Sequence, residues 1–435
     1  MEPSLRLKVS EGTSRPPFAA PAESIIATPL QFRHGMKSAP GRADILEVTA
    51  EQVAAFRLSR HHLSKRAPAK ELARVAGDMA GAQAQIMSAA QISLWARTRG
   101  LRASDVEEAL WVDRTLVKMW CLRGTVHIVP SADHALFVRG CTRRANRSLA
   151  WMARAEIPPA AVERVIDAIG RVLTHPLTKK ELAVRMSKSL GLKTSSKSGR
   201  GWGGAANATG FEIDGTVVSL GGILFMACMR GVACSGPNRG SEATFVRPDA
   251  WIPRWRDMPV EDAEDELLRR YLRAFGPSTV SDFAVWTYMT ALDAREVWAR
   301  VENELAPVRV NGRTTWVVRT DVPALERASF DRPSVQLLPF FDSFLLGHKD
   351  KGHIVDATHY KRVYRPQGWI SPIVLVNGRA AAVWALERKS RRLAMRVEPF
   401  RDFPAAVRSR VKEEAEDLGR FLDMSEVVTT FRRPR

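Results

Sequence analysis

Three times in this chain a group of helix-patterned stretches runs into a pair of short strand-like segments, and this recurrence constrains the fold more than any other feature. The first round opens at Thr49, a side chain suited to cap a helix, with Glu51 and Gln52 in the first turn. It continues through EQVAAFRLSRHHL, ELARVAGDMA, AQISLWARTRG and SDVEEALWVDR, where Ser104 and Glu107 have capping-box spacing. It closes on LVKMWCLRGTVHIVP, in which Arg123-Gly124-Thr125 reads as a turn into a strand. The second round comprises VERVIDAIGRVL and LTKKELAVRM, capped at Thr178 with Glu181 three residues on, then a polar Gly-rich link, GTVVSLGGILFMACMRGV and the strand-like GSEATFVRPD. The third is EDAEDELLRRYLRAFG, TVSDFAVWTYM and LDAREVWARVENEL, followed by the hairpin VRVNGRTTWVVR with a two-residue Asn311-Gly312 turn. Helices followed by a hairpin is the layout of a winged helix. The pattern predicts an α+β chain with three tandem winged-helix motifs over residues 46–155, 156–258 and 259–330, although no residue-level repeat is visible.

Beyond Asp331 the texture changes to β-rich, with a second Asn-Gly turn at Asn377-Gly378 and a closing helix, PAAVRSRVKEEAEDLGRFL. We expect a small C-terminal β-barrel-like domain over 331–435. Residues 1–45, rich in Pro, Ser, Ala and Arg, read as a flexible N-terminal arm.

With 45% hydrophobic and 26% charged residues the chain has a globular composition, and its length calls for two to four domains. No run approaches the roughly 18 apolar residues that span a bilayer, so no membrane partner is expected. The net charge of +19 favours a polyanionic partner, and without a long basic amphipathic helix that partner is expected to be nucleic acid. Arginines spread along the chain suit a track of phosphate contacts, while a generic Arg bias of the genome accounts for part of the excess. Cys121, Cys141, Cys228 and Cys234 form no Cys-x-x-Cys pair and the N-terminus has no apolar signal core. A reducing cytoplasm, associated with the nucleoid, is the expected setting.

One polar stretch stands apart. In Gly81-Ala82-Gln83-Ala84-Gln85 two glutamines lie two residues apart between apolar helical runs. On a helix they would point to nearly opposite faces, and in an extended segment to the same one. Gly77 and Gly81 suggest that the helix falters, which would aim both amides at one cavity; two solvated glutamines on an amphipathic helix is the competing reading. Nearby, Arg123, Thr125 and His127 read as one face of a short strand, with Arg123 and His127 in reach of phosphates. Arg60 and His61 belong to a basic cluster, with His62, Lys65 and Arg66, that could face DNA or only solvent. Lys197, Arg200 and Trp202, with Ser195, sit in the Gly-rich link, which could track a groove. Asp342, His348, Lys349, Lys351 and His353 crowd together, but their spacing matches no common ligand set, so no metal or other cofactor is expected. Trp286, Trp298 and Trp316 are expected in the core.

Five stretches in order resemble one family, the AlkZ-type winged-helix DNA glycosylases with their AlkX branch. They are Gly81–Gln85, TLVKMWCLRGTVHIVPSADH, GPNRGSEATFVRPDAW, RRYLRAFGPSTVSDFAVW and LLPFFDSFLLGHKDK, and the resemblance covers about residues 48 to 400. It implies three winged-helix motifs and a C-terminal barrel around a basic channel, and removal of bulky N7-alkylguanine from double-stranded DNA, including the unhooking of interstrand crosslinks. It assigns the catalytic Gln-apolar-Gln signature to Gln83 and Gln85, where the AlkX branch has Asp at the third position, and it makes Lys349, Lys351 and His353 a DNA-contacting loop. The expectation is a monomeric, monofunctional glycosylase. A non-catalytic winged-helix regulator is the alternative, although such regulators are usually dimers; a third reading, an anion-binding surface protein, has only the charge behind it.

Overall fold

The computed structural model describes residues 45–154, 158–191, 194–195, 210–213 and 216–434. The N-terminal arm and the stretch holding Lys197, Arg200 and Trp202 lie outside the described residues.

Local signals in the sequence become the element boundaries. Thr49 caps the helix Ala50–Arg60 by accepting from the Gln52 N–H, and Thr178 caps Lys179–Leu190 through the same box with Glu181. The helix Ala103–Trp111 starts two residues earlier than its sequence suggests. Asp105 reaches back to the Arg102 N–H at 2.8 Å, so Ser104 lies inside the helix, and Glu107 instead accepts from Gln91 at 2.8 Å. Both Asn-Gly pairs adopt the left-handed dihedrals that a two-residue hairpin requires, joining Leu305–Val310 to Arg313–Val318 and Ile373–Val376 to Arg379–Lys389.

The result is a mixed α+β molecule with several small sheets. Leu116–Trp120 and Val126–Pro130 form an antiparallel hairpin, to which the two residues Ala82–Gln83 add a third strand. Leu46–Val48 does not pair within its own region. It runs parallel to Val308–Val310 of the third hairpin, and the helix after it buries Val53 and Phe56 against that sheet.

The C-terminal region is not a closed barrel. Its five strands lie in the linear order Val335–Leu338, Ile373–Val376, Arg379–Lys389, Arg392–Pro399 and Glu426–Phe431, an open sheet among the described residues. The last strand was not apparent from the sequence. It follows the helix Ala405–Phe421 and pairs parallel to Arg392–Val397, a crossover that packs Val407, Val411, Ala415 and Leu418 into the core. The helix packs against the sheet, and the strand extends its edge.

Two large apolar cores meet beneath the first hairpin. One joins Met119 and Val129 to the middle and third helical groups, and contains Trp286 and Trp298; Trp316 packs at its margin. The other joins Ala82, Ala84, Trp95 and Ile128 to the C-terminal sheet. The glutamine segment therefore lies on the boundary between the cores. No helix among the described residues is long and apolar enough to cross a membrane.

Candidate functional site

The helix Leu72–Asp78 ends where the chain reverses through Ala80 and Gly81, both with positive φ. At Gly81 φ is +90°, and a Cβ there would lie 3.0 Å from the Val129 side chain, so the turn depends on glycine. Ser343, from the C-terminal region, donates to the Gly81 carbonyl at 2.6 Å. Beyond the turn the chain is extended. Gln83 stands opposite His127, and the Ala84 N–H donates to the Val126 carbonyl at 2.6 Å. Only at Met87 does the next helix begin. The extended conformation sends both glutamines to one face, and Gln83 Nε2 donates to Gln85 Oε1 at 3.0 Å.

The two amides are not equivalent. Gln83 is 7% exposed and Gln85 faces solvent. Gln83 Oε1 accepts from Arg123 Nη2 at 3.1 Å, and the same nitrogen lies 3.2 Å from His127 Nε2. A guanidinium only donates, so His127 Nε2 accepts and its Nδ1–H donates to the Thr125 carbonyl, 3.0 Å away. Donation thus runs outward from Arg123, to His127 on one side and through Gln83 to Gln85 on the other. Both amide oxygens already accept one bond, and the unused lone pair of Gln85 Oε1 is the acceptor site nearest solvent.

Arg123 owes its position to an unusual turn. It takes φ +54° and Gly124 φ +64°, which lifts the arginine out of the strand and across the sheet. Its Nη1 also donates to the Trp286 carbonyl at 3.2 Å. Burial pushes its pKa down to about 10. Burial first, then the Arg123 charge, holds His127 at about 3, so its ring is neutral at physiological pH.

Several sequence expectations are corrected here. Arg123 lies in the turn and not on the strand, and Thr125 turns its hydroxyl back to the Leu122 carbonyl at 3.1 Å. His127 is only 1% exposed and accepts from Arg123, so it lies inside the fold and not on the surface. His61 is completely buried between the rings of Phe275 and Phe344, 5.0 and 5.3 Å away, because the Ala50–Arg60 helix ends with that side inward. Arg60 is ion-paired with Asp321 and stacked over Phe56 at 4.9 Å, while Arg66 is held by Glu414 and Asp417. The basic cluster is thus largely neutralised within the fold. Lys351 donates to the Leu345 and His348 carbonyls and is pulled down to about 8 by burial and by Arg123. Lys349 and His353 remain on the surface.

Asp342, read from the sequence as part of a crowded polar loop, is wholly internal. It accepts from Arg97 at 2.7 and 2.8 Å, from Ser93 at 2.6 Å and from the Phe344 N–H at 3.0 Å. This pair anchors the loop whose next residue, Ser343, holds Gly81. The roles of Ser343 and Arg97 were not visible in the sequence, because their partners lie 262 and 245 residues away. Among the described residues no group of His, Cys, Asp or Glu is arranged to hold a metal.

Comparison with known proteins bears on family and fold. The family model described as DNA glycosylase AlkZ-like matches residues 76–421. An interstrand DNA cross-link repair glycosylase of Streptomyces sahachiroi is 27% identical over 386 residues, covering 86% of this chain and 97% of that protein. The solved structure of the DNA glycosylase AlkZ of the same organism superposes with a TM-score of 0.74 at 25% identity, covering 89% of this chain and all of the other.

Proposed function

The chain belongs to the AlkZ-like DNA glycosylase family, and we propose that its substrates are bulky N7-alkylguanine adducts in duplex DNA, interstrand crosslinks among them. The observation that carries this reading is the Gln83–Gln85 pair, side by side at 3.0 Å with Gln85 open to solvent. N7 alkylation makes the guanine cationic, so the base departs neutral and its bond to the sugar is already weakened. The sugar passes through oxocarbenium character, as in glycoside hydrolysis. What remains is to hold a water near the sugar carbon and to place partial negative charge beside the developing cation.

Gln85 Oε1 performs that task. Its free lone pair accepts a hydrogen of the attacking water, while Gln83, locked by Arg123, keeps the amide from rotating. No carboxylate is among the described hydrogen-bond partners of the pair, which are Arg123 and one another. A site without a strong base favours a leaving group that needs none, hence cationic lesions. In this reading the three helix-then-hairpin groups act as winged-helix units around a basic channel, and exposed cations such as Lys349 meet phosphates. The relative named for cross-link repair supports including crosslinks.

Incubation with a duplex carrying one N7-alkylguanine tests the proposal. The wild-type chain releases the adduct base and leaves an abasic site; Gln85→Ala and Gln83→Ala bind the duplex but release at least tenfold more slowly. Release by both variants at the wild-type rate rejects the glutamine mechanism, and comparable wild-type activity on uracil rejects the preference for cationic bases.

A further inference from the structure

The helix Val280–Thr287 ends at Tyr288, which adopts a left-handed conformation with φ +62° and ψ 26°. Helix ends of this kind are normally occupied by glycine or asparagine, because a Cβ strains the backbone there. Here the position holds a large aromatic residue that is 44% exposed. Packing into a core does not explain such a residue.

Its surroundings hold the ring in place and leave it accessible. The Arg144 guanidinium lies 4.8 Å from the ring centre, and Arg147 donates to the Tyr288 carbonyl. Arg144 also fills the space beside Gly124, where a Cβ would come within 2.4 Å of its Nη2. Gly124 adjoins Arg123, which binds the Trp286 carbonyl with one nitrogen and Gln83 with the other. Tyr288 is therefore two residues from a carbonyl that shares a guanidinium with the glutamine pair. Tyr288 also lines a cleft of about 810 Å³ together with apolar Ala284 and Val285 and the exposed cations Arg295 and Lys349.

A partly exposed ring, tied through the Trp286 carbonyl and Arg123 to the glutamine pair and flanked by cations, has the features of a base-stacking platform. We infer that Tyr288 stacks on a nucleobase of the bound duplex, beside the reacting nucleotide, while Arg295 and Lys349 meet the adjoining phosphates. The ring would support the base step opened when the lesion is engaged. This inference rests on the glycosylase reading, but its test needs no catalysis.

The probe is a duplex with a tetrahydrofuran abasic analogue next to 2-aminopurine, titrated with the full chain. Tyr288→Phe and Tyr288→Trp keep wild-type affinity and the wild-type change in 2-aminopurine fluorescence. Tyr288→Gly and Tyr288→Asn, both compatible with the left-handed turn, bind about tenfold more weakly, lose the fluorescence change and keep the wild-type salt dependence. Wild-type affinity in the Gly and Asn variants overturns the inference and leaves the glycosylase reading standing. Weak binding by the Phe variant overturns it too, since the hydroxyl would then be the contact; a shallower salt slope in the Asn variant does the same, since the ring would serve only to position cations. A wild-type chain that does not bind the duplex overturns both readings.

Discussion

Replacing Asp342 with Asn puts the anchoring of the catalytic segment to a direct test. Arg97 and Asp342 are both 0% exposed, and the carboxylate accepts two hydrogen bonds from the guanidinium, one from Ser93 and one from the Phe344 N–H. Asparagine keeps the shape but removes the charge, and it turns one acceptor into a donor aimed at Arg97 or Ser93. An uncompensated buried guanidinium costs about 3–5 kcal/mol. Because the remaining Asn oxygen still accepts one Arg97 N–H, we expect the lower end, about 3 kcal/mol. Removing both charges in Arg97→Met/Asp342→Leu leaves no isolated ion, and such replacements are often neutral or stabilising. The double variant should therefore unfold close to wild type in urea, with the single variant well below it. Activity should behave differently. The remaining Asn oxygen keeps the Phe344 N–H bond that shapes the turn holding Ser343 against Gly81, whereas the double variant loses that acceptor, so base release should slow in the double variant despite its stability. An Asp342→Asn protein within about 1 kcal/mol of wild type would refute the argument, since an unpaired buried guanidinium carries a larger penalty.

Other predictions address the site and its titrating groups. Arg123→Met should slow base release at least tenfold, because Gln83 loses the donor that orients it. The melting temperature should also fall, since Gln83 Oε1, His127 Nε2 and the Trp286 carbonyl lose their donor, although removal of the desolvated charge offsets part of this; an unchanged release rate would sink the orienting role. His127 is held at about 3 and His134 at about 4, both by burial, and burial also keeps His61 and His348 well below the usual imidazole value. Their folded pKa values lie below the unfolded value, so as pH falls beneath about 6.5 the unfolded chain takes up protons that the fold refuses. Stability should fall from pH 7 to 4.5, by up to about 1.4 kcal/mol per pH unit for each such histidine. Neither ring nitrogen of His134 has a hydrogen-bond partner among the described residues, so His134→Leu should retain stability at pH 7 and flatten the slope; a urea midpoint constant from pH 7 to 4.5 would contradict this. Duplex affinity should weaken steeply with salt. Lys349→Ala should reduce that slope by about 1, and Arg60→Ala, already paired with Asp321, should leave it unchanged.

How far the molecule could be read from its sequence depended on the range of the interaction involved. Thr49 and Thr178 announce their helices, and Asn311-Gly312 and Asn377-Gly378 their hairpins, because capping and turn geometry need only three or four neighbouring residues. The alternation of Gln83 and Gln85 after a glycine pointed to an extended segment with both amides on one face, and the chain adopts it. The cap at Ser104 failed even within this range, since the competing Asp105 was one residue away.

Composition and pattern determined that the chain is mixed α+β and rich in basic residues, along with its helix caps, hairpin turns and the spacing of the two glutamines. Only the tertiary structure decided which of those charges remain available. Arg60 and Arg66 are neutralised by acids more than 250 residues away, and Arg97 serves Asp342 in the interior. Tertiary contacts also left the C-terminal sheet open, buried His61, and made Arg123 and His127 supports for Gln83. The reason is physical: periodicity records which side of an element is apolar, whereas the partner of a buried polar atom depends on which distant segment packs against it.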